Sequence, residues 1–442
     1  MPYPPERATH VKAYSLWSGV IMFSLTAGYY LFTILYSQGL ITASGSVIGG
    51  DFLAFYTGGA FFNQGILEKA YTIKSGLFFP DQEEFQRALI SNDLTGYAPF
   101  INPPFMAIFY SPLARLPYLY AFFLWQIFNL SLLTYSISVL RQELAFLQRF
   151  HTYKILACCF LFYPTLGWFM YAQATPIILV LYTLCFQSLR KGNDFKAGAY
   201  LGLLAFKPQL AIALALVLLL KWRWRALLSG LLSLILCLGI GFLYTPDAML
   251  TYIEVSPKLL GFLRAESYPT WGIHSFFGFS VLLLENINPV LANAFTYVIS
   301  GITIFLLYWL WRDLEWKGDL KRWDLTMALT FIWGILISPH LFYYDLTILL
   351  LPAAIILNYP VSSNDYKPIS LSLWWLSIIW LVCFLSGFIS ISQILLYDKY
   401  QVSAPILQIS TPVIFFWGLS IFCFLRQKKH QRNSNNPNNI TG

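Results

Sequence analysis

Long hydrophobic runs separated by short polar segments make up most of this sequence. Several runs approach or exceed the about 20 apolar residues that span a bilayer as an α-helix. Because a backbone in lipid must satisfy its polar groups within the segment, such runs predict helices. The pattern therefore predicts an all-α polytopic membrane protein with about 12 membrane helices. The predicted apolar segments are 13–36, 118–140, 155–171, 175–189, 197–206, 208–220, 226–244, 289–311, 325–339, 341–357, 369–391 and 409–425.

Two pairs of these segments are too short to cross a bilayer easily. The sequence YAQATP interrupts the first pair, at 155–189, and FKPQ interrupts the second, at 197–220. Pro208 removes a backbone donor and breaks the helix there. Basic sequences flank the second pair at both ends, so both ends belong on one side of the membrane. We expect each pair to form a hairpin that rises from the cytoplasmic side, with its broken backbone lining a cavity in the protein.

The distribution of basic residues predicts the orientation. One alternating set of polar segments holds 20 Lys and Arg, whereas the other set holds 7. The positive-inside rule therefore places both termini in the cytoplasm and the two long segments, about 37–117 and 245–288, outside. The net charge of +8 is explained in this way and does not indicate a nucleic-acid partner. The basic set comprises 1–12, 141–154, 190–196, 221–225, 312–324, 358–368 and the tail from 426.

The composition agrees with a membrane protein, since 57% of residues are hydrophobic and only 11% are charged. The first run is too long for the core of a signal peptide and is predicted to be a retained span. All six cysteines lie in apolar runs, where a buried apolar role is expected rather than a disulfide or zinc site. We predict a single integral membrane domain, 1–425, followed by a disordered basic cytoplasmic tail, 426–442.

Lys207 and Asp345 are the only Lys, Arg, Asp or Glu residues left inside the predicted apolar segments. Charges within a membrane are costly and are functional candidates by default. Lys207 adjoins the break at Pro208, where a cation suits an anion such as a phosphate. The alternative, a lysine that snorkels to the interface, is disfavoured by the apolar stretches on both sides of it.

Asp51 is a lone carboxylate in the sequence GGDFLAFY, just after the first span on the outer side. Apolar surroundings would raise its pKa by desolvation and suit it to accept a proton. The alternative is that Asp51 caps a short helix, since Asp is a favourable N-cap residue.

The sequence SPHLFYYD places His340 and Asp345 at the outward junction of two apolar runs. Asp345 follows His340 by five residues, just over one helical turn of about 3.6 residues, so the two side chains can share a face. The pair would orient an imidazole that contacts a phosphate. Alternatively, it is a polar pair that holds two helices together.

Three further polar residues are candidates for hydrogen bonds to a sugar: Tyr97 and Asn102 in YAPFINPPF, and Gln173 at the tip of the first hairpin. Helix capping explains these residues about as well. A short outer helix is predicted at PDQEEFQRAL, where Asp81 and Glu84 have the spacing of a capping box. The sequence contains no Gly-rich phosphate loop, nucleotide domain or metal-ligand spacing, and no cofactor or metal is predicted.

Together these stretches resemble glycosyltransferase family 87, within the membrane-embedded GT-C superfamily, over most of the chain. The resemblance rests on the order and spacing of GGDFLAFY, NPPF with SPLARLP, YAQATPIILVL, AGAYLGLLAFKPQLAI with KWRWRAL, and SPHLFYYDLTILLLPA. It implies a GT-C-like bundle that resembles polyprenol-phosphate-mannose-dependent α-mannosyltransferases. The sequence departs from the family in reading AQATP where a GQxN-like motif is expected, so Gln173 is present but the small polar residue after it is not.

The resemblance also implies roles for the candidate residues. Asp51 matches the catalytic base, and Lys207 and His340 match groups that bind the donor phosphate. The supporting or substrate-binding residues are then Asp345, Tyr97, Asn102, Gln173 and Tyr56, the last of which lies in the same stretch as Asp51.

The implied reaction moves a hexose, expected to be mannose, from a polyprenyl-phosphate sugar to a hydroxyl of a lipid-linked or cell-envelope glycan, with inversion. The bilayer would deliver the donor, and this explains the missing nucleotide site. The expected location is the cytoplasmic (inner) membrane, with the active site on the extracytoplasmic side. The main alternative is a flippase or transporter of a lipid-linked sugar or small solute, which would show repeated halves. A structural membrane subunit is a second alternative, but it would not need Lys207, His340 and Asp345 together.

Overall fold

The computed structural model describes residues 5–74, 76–92, 94, 96–264, 268–363, 367–400 and 405–434. Within these residues the chain is mostly helical, and its single sheet is a hairpin of β1 (Ile73–Lys74) and β2 (Leu77–Phe78). The α-helices are α1 (Pro5–Leu35), α2 (Phe52–Asn63), α3 (Pro80–Leu89), α4 (Pro104–Tyr110), α5 (Tyr118–Glu143), α6 (Ala145–Gln148), α7 (Thr152–Phe160), α8 (Tyr163–Tyr171), α9 (Thr175–Lys191), α10 (Asp194–Gly202), α11 (Ile212–Leu220), α12 (Trp224–Tyr244), α13 (Pro246–Val255), α14 (Leu259–Phe262), α15 (Phe276–Leu284), α16 (Pro289–Arg312), α17 (Leu320–Leu336), α18 (Leu350–Ser363), α19 (Lys367–Tyr400) and α20 (Ser410–Ser434). Short 3-10 helices occupy Leu67–Tyr71, Leu113–Arg115, Leu203–Phe206, Pro208–Leu210, Ser256–Lys258, Thr270–Gly272 and Tyr343–Leu349.

Every predicted apolar segment coincides with one or more of these helices, so the all-α prediction is confirmed. In the described residues, only four helices are long and apolar enough to cross a membrane: α5, α12, α16 and Trp375–Tyr397 within α19. Helices α7 and α8, bent by 83° at their junction, make a fifth span if they are counted as one. The predicted number of about 12 membrane helices is therefore not confirmed. Helices α9 and α17 have only 17 residues each, fewer than the about 20 that a full crossing requires.

The first predicted hairpin comprises α7 and α8 on one side and α9 on the other. At its base, Arg141 Nη1 donates to Thr152 Oγ1 at the start of α7, at 2.7 Å. Arg190 at the end of α9 forms an ion pair of 3.3 Å with Glu143. Both ends of the hairpin therefore meet the end of α5, and the turn between α8 and α9 lies at the opposite end.

The second predicted hairpin is closed in the same way. Asp194 at the start of α10 and Arg223 beyond the end of α11 form an ion pair of 2.6 Å. Helix α10 packs closely on α12, because a Cβ atom at Gly198 would lie only 1.8 Å from the Ala226 carbonyl oxygen. Between the two ends, the chain is broken into 3-10 turns on either side of Lys207. The predicted break at Lys207–Pro208 is thus confirmed.

A third hairpin, formed by α17 and α18, was not predicted as such. Arg190 binds Asp324, near the start of α17, at 3.1 Å, and Asn358 in α18 accepts a hydrogen bond from the Phe146 backbone at 3.0 Å. The ends of this hairpin therefore join those of the first. We call the ion-paired residues Glu143, Arg190, Lys191 and Asp324 the base network.

The ion pairs agree with the predicted grouping of polar segments into two sides. In the described part of the chain, each pair joins residues of the same predicted side, except for Lys207–Asp345 inside the apolar segments. Helix α20 continues into the predicted disordered tail as far as Ser434, and Arg426 binds Asp313 at 3.2 Å. The rest of that tail, 435–442, lies outside the described residues.

The first long outer segment folds into α2, the β-hairpin, α3 and α4. Helix α3 forms where a short outer helix was predicted, but the capping box does not. The helix begins at Pro80, so its N-cap is Phe79 rather than Asp81, and Asp81 instead bonds with Thr72 and Lys74. The buried side chain of Gln82 holds the YAPFINPPF stretch, accepting from the Phe100 backbone nitrogen at 2.7 Å.

Candidate functional site

Three chain breaks and the start of α2 meet at the ends of the hairpins opposite the base network. The breaks are the α8–α9 turn, Lys207 between two 3-10 turns, and the non-helical residues between α17 and the 3-10 helix Tyr343–Leu349. We call the residues that meet there the polar centre: Asp51, Gln173, Lys207, Tyr344 and Asp345. Because a break frees side chains and backbone from regular helical packing, each hairpin tip can present a polar group to the others.

Two glycines deliver Asp51 to the polar centre. Gly49 and Gly50 have φ of +82° and +44°, in the left-handed region that favours glycine. A Cβ atom at Gly50 would lie 2.7 Å from the ring of Tyr171, so the glycine also allows the close approach of α8. Asp51 occupies the N-cap position of α2, but its side chain makes no capping hydrogen bond. The alternative reading of Asp51 as a helix cap therefore finds no support in the structure.

The half-buried carboxylate of Asp51 accepts hydrogen bonds from neutral groups. Gln173 Nε2 donates to its Oδ2 at 2.6 Å, and Tyr344 also donates to it. No ion pair involves Asp51 among the described residues. Burial raises the pKa of Asp51, and the hydrogen bonds from Gln173 and Tyr344 and the charge of Lys207 oppose this rise only in part. A carboxylate in this setting is a stronger base than an exposed aspartate.

Lys207 and Asp345, the two charges predicted inside apolar segments, bind each other. Lys207 Nζ lies 2.8 Å from Asp345 Oδ2, and the other carboxylate oxygen accepts from Thr175 Oγ1 at 2.8 Å. The Asp345 side chain is fully buried, whereas that of Lys207 is 12% exposed. Both oxygens of Asp345 are therefore engaged, while the ammonium group, which has three donors, retains donors for another acceptor.

His340 lies beside the polar centre but is not bound to Asp345 as expected. Its Nε2 is 2.7 Å from the hydroxyl of Tyr268, which comes from the second outer segment. Asp345 is occupied by Lys207 and Thr175, and so the hydrogen-bond partner of the imidazole is a tyrosine. Burial and the charge of Lys207 lower the pKa of His340 to about 4, and the ring is therefore neutral at neutral pH.

The remaining candidates lie in the first outer segment. The hydroxyl of Tyr56 donates to the Leu116 carbonyl at 2.8 Å, and that of Tyr97 donates to the Phe78 carbonyl at 2.6 Å. Asn102 lies just before α4, and its backbone carbonyl accepts from Tyr71 at 2.7 Å. These two tyrosine hydroxyls are thus engaged with the backbone of the outer segment rather than with Asp51 or Lys207.

Sequence reasoning missed three residues that contact the candidates: Thr175, Tyr268 and Tyr344. Tyr344 lies within SPHLFYYD and Thr175 within YAQATP, so the motifs pointed to their surroundings but not to their contacts. Nothing in the sequence indicated Tyr268, because it lies in a long outer segment and the chain has 28 tyrosines. Among the described residues, no group of three or more His, Cys, Asp or Glu side chains is arranged to hold a metal ion.

The helices and the buried charges define a multi-helix membrane protein with a polar site built on broken helices. Such a site at the ends of hairpins is suited to a polar or anionic ligand. The model of glycosyltransferase family 87 matches residues 100–339, more than half of the chain, and the chain belongs to this family. It is therefore a membrane glycosyltransferase, and placement in the GT-C superfamily is consistent with this.

The matched range contains Gln173, Thr175 and Lys207, whereas Asp51, His340 and Asp345 lie outside it. Asp51 and Asp345 meet Gln173, Thr175 and Lys207 only in the folded chain, at the polar centre. No curated protein and no solved structure matched the chain.

Proposed function

We propose that the protein transfers a hexose, specifically mannose, from a polyprenyl-phosphate sugar to a hydroxyl group of a lipid-linked or cell-envelope glycan. The observation that carries this proposal is the pairing of unlike groups at the polar centre. An acid with only neutral hydrogen-bond partners lies beside a lysine that is held in place by a buried carboxylate. A base and a site for an anionic leaving group are the two elements that such a transfer requires.

In the proposed reaction, Asp51 accepts the proton of the acceptor hydroxyl as its oxygen attacks the anomeric carbon. The new glycosidic C–O bond forms while the bond between that carbon and the phosphate oxygen breaks. The polyprenyl phosphate leaves with the bonding electrons. Because a phosphate is a good leaving group, no general acid is needed, and one displacement converts a β-linked donor into an α-linked product.

Lys207 and His340 are proposed to bind the donor phosphate, where negative charge develops as the bond breaks. Lys207 is suited to this role because Asp345 uses one of its three donors and fixes its position. Asp345 is then a positioning residue. Its two oxygens accept from Lys207 and Thr175, so its negative charge, which would otherwise repel the phosphate, is compensated within the protein.

The proposed location is the cytoplasmic (inner) membrane, with both termini in the cytoplasm and the polar centre on the extracytoplasmic side. The excess of Lys and Arg in one set of polar segments supports this orientation. Reporter fusions at Ser91 and Arg426 test it: the first should report an extracytoplasmic position and the second a cytoplasmic one. Cytoplasmic signals from both fusions would contradict it.

The proposed function is tested by incubating the purified protein with radiolabelled polyprenyl-phosphate mannose and a lipid extract from the source cells. A labelled glycolipid is expected, with the new bond in the α configuration, and the Asp51→Asn protein should form little of it. Polyprenyl-phosphate glucose and galactose in parallel reactions test the choice of sugar. Movement of the intact donor across proteoliposomes without product would support the transporter alternative. Absence of product with every polyprenyl-phosphate hexose would contradict the proposed donor class.

A further inference from the structure

The hydroxyl of Tyr268 lies 2.7 Å from Nε2 of His340. We infer that Tyr268 is a positioning residue, whose O–H donates to Nε2 of His340 and so leaves the ring proton on Nδ1, where it is presented to the phosphate of the donor. No motif in the sequence singled out Tyr268. The inference rests on the proposed function, because it concerns the group that His340 offers to the same donor.

The tautomer of His340 matters because the imidazole is neutral. A neutral imidazole has one nitrogen that donates and one that accepts. The free oxygens of an ionised sugar-phosphate diester only accept hydrogen bonds. If Nε2 carried the proton and donated to Tyr268, Nδ1 would turn a lone pair toward any phosphate at that edge of the ring. With Tyr268 as the donor, the ring proton is on Nδ1, beside the His340 backbone carbonyl, and a phosphate at that edge of the ring can accept from it.

The surrounding backbone fixes both partners of this hydrogen bond. Ile273 pairs with Phe342 in an isolated antiparallel bridge, and the His274 backbone nitrogen donates to the Leu341 carbonyl at 2.7 Å. The segment that carries Tyr268 is thereby held alongside the segment that carries His340.

The rings and side chains around Tyr268 and Ile273 hold the second outer segment as well. The ring of Tyr268 packs edge-on against Phe262, with centroids 5.0 Å apart. Gln408, just before α20, donates to the Ile273 carbonyl at 2.7 Å. A phenylalanine at position 268 would keep the ring contact with Phe262 and lose only the hydroxyl.

Four variants test the inference: Tyr268→Phe, His340→Asn, His340→Gln, and Tyr268→Phe combined with His340→Asn. The amide N–H of Asn takes a position near Nδ1 of histidine, whereas that of Gln lies near Nε2, and neither amide has a tautomer to select. For each purified protein, kcat and KM are measured with polyprenyl-phosphate mannose and with the acceptor. Tyr397→Phe is the matched control, since its hydroxyl bonds to the Pro405 carbonyl at 3.1 Å.

Tyr268→Phe is expected to lower kcat/KM for the donor about tenfold, the effect of one lost hydrogen bond to a developing charge, with the acceptor KM unchanged. His340→Asn should retain more activity than His340→Gln. Adding Tyr268→Phe to His340→Asn should change kcat/KM by less than about twofold, because Tyr268 acts through the imidazole. Tyr397→Phe should behave as the wild type.

Each contrary result has a distinct meaning. No product from the wild-type protein would defeat the proposed function and this inference with it. An active wild type with an equally active Tyr268→Phe variant would defeat the inference alone. A tenfold loss from Tyr268→Phe in the His340→Asn background would show that Tyr268 acts on the substrate itself. If Tyr268→Phe fails to fold, the order of His340→Asn and His340→Gln still decides, and greater activity of the Gln variant overturns the inference.

Discussion

Helix α9 carries a cluster of buried charged or polar groups at each end, and the two clusters are built differently. Arg190, in its last turn, belongs to the base network, and Thr175, at its first residue, contacts the polar centre. At about 1.5 Å of rise per residue, the two positions are roughly 22 Å apart. One helix therefore connects two polar clusters, and the two differ in how completely their charges are paired.

In the base network, opposite charges are closely matched. Arg190 binds both oxygens of Asp324, at 3.1 and 3.3 Å, and also binds Glu143, which in turn binds Lys191 at 2.7 Å. Such bidentate pairing satisfies the charges within the protein. The carboxylates of this network and the Arg190 guanidinium are paired with one another, and the position of the network at the bases of two hairpins indicates a structural role.

The polar centre is matched less completely. Among the described residues, Lys207 has one carboxylate partner and a partly exposed side chain, whereas Asp51 has hydrogen-bond donors but no cation within ion-pair distance. An acid held without a counterion costs stability. Buried charges by themselves therefore do not indicate a reactive site. Buried charges that are incompletely paired within the protein do.

The largest expected effect on transfer is that of Asp51→Asn. Asparagine keeps the shape and most hydrogen bonds but cannot accept the proton, and so transfer should fall by about 10² or more. Donor affinity should change far less, because Asp51 does not bind the phosphate. Product formation at saturating donor and donor affinity are measured on folded protein. Near-normal turnover would move the base elsewhere, with His340 and Asp345 the next candidates.

Lys207→Ala should reduce kcat/KM for the donor by about tenfold or more, through loss of charge-assisted hydrogen bonds to phosphate. Lys207→Arg should recover only part of this loss, because the guanidinium group is larger and presents its charge differently. Since Lys207→Ala also leaves Asp345 unpaired, Lys207→Met with Asp345→Asn is the control. If that double variant regains both stability and donor use, Lys207 has a structural role only.

A smaller effect is expected from pH. Because the pKa of Asp51 is raised above its ordinary value of about 4, the carboxylate is protonated, and transfer lost, at a higher pH than for an exposed aspartate. The loss should occur as the pH falls. His340, with its pKa near 4, stays neutral over most of this range. The rate profile from pH 4.5 to 8 tests this, and the residual activity of Asp51→Asn should lack the acid limb. If the rate of the Asp51→Asn variant fell at acidic pH just as the wild-type rate does, a group other than Asp51 would be responsible for the fall.

Arg190→Met should have the smallest effect on transfer and the clearest effect on stability. Removing one partner of a buried pair leaves the Asp324 and Glu143 carboxylates uncompensated and should cost about 3 kcal/mol. Thermal unfolding in detergent measures the loss, and turnover per folded molecule should stay near that of the wild type. A large fall in turnover with normal stability would contradict the division between the two clusters.

Much of the fold was predictable because membrane solvation acts on short stretches of sequence. The twelve apolar segments all coincide with helices, and the break at Lys207–Pro208 follows from the missing backbone donor of proline. The number of helices that fully cross the membrane was overestimated, because an apolar sequence is expected both for a helix in contact with lipid and for a helix buried within the protein. Several of the short helices, including α9 and α17, are largely buried within the protein.

The sequence by itself determined which residues are candidates for chemistry, since a charge in an apolar run is conspicuous wherever it folds. Lys207 and Asp345 were identified in this way, and Asp51 by its apolar neighbours in GGDFLAFY just after the first span. Only the tertiary structure decided their partners. Lys207 and Asp345 are 138 residues apart in the chain and Asp51 and Gln173 are 122 apart, so no local pattern could pair them. Hydrogen bonds and ion pairs depend on distances of a few ångströms, and those distances exist only after the hairpins have packed together.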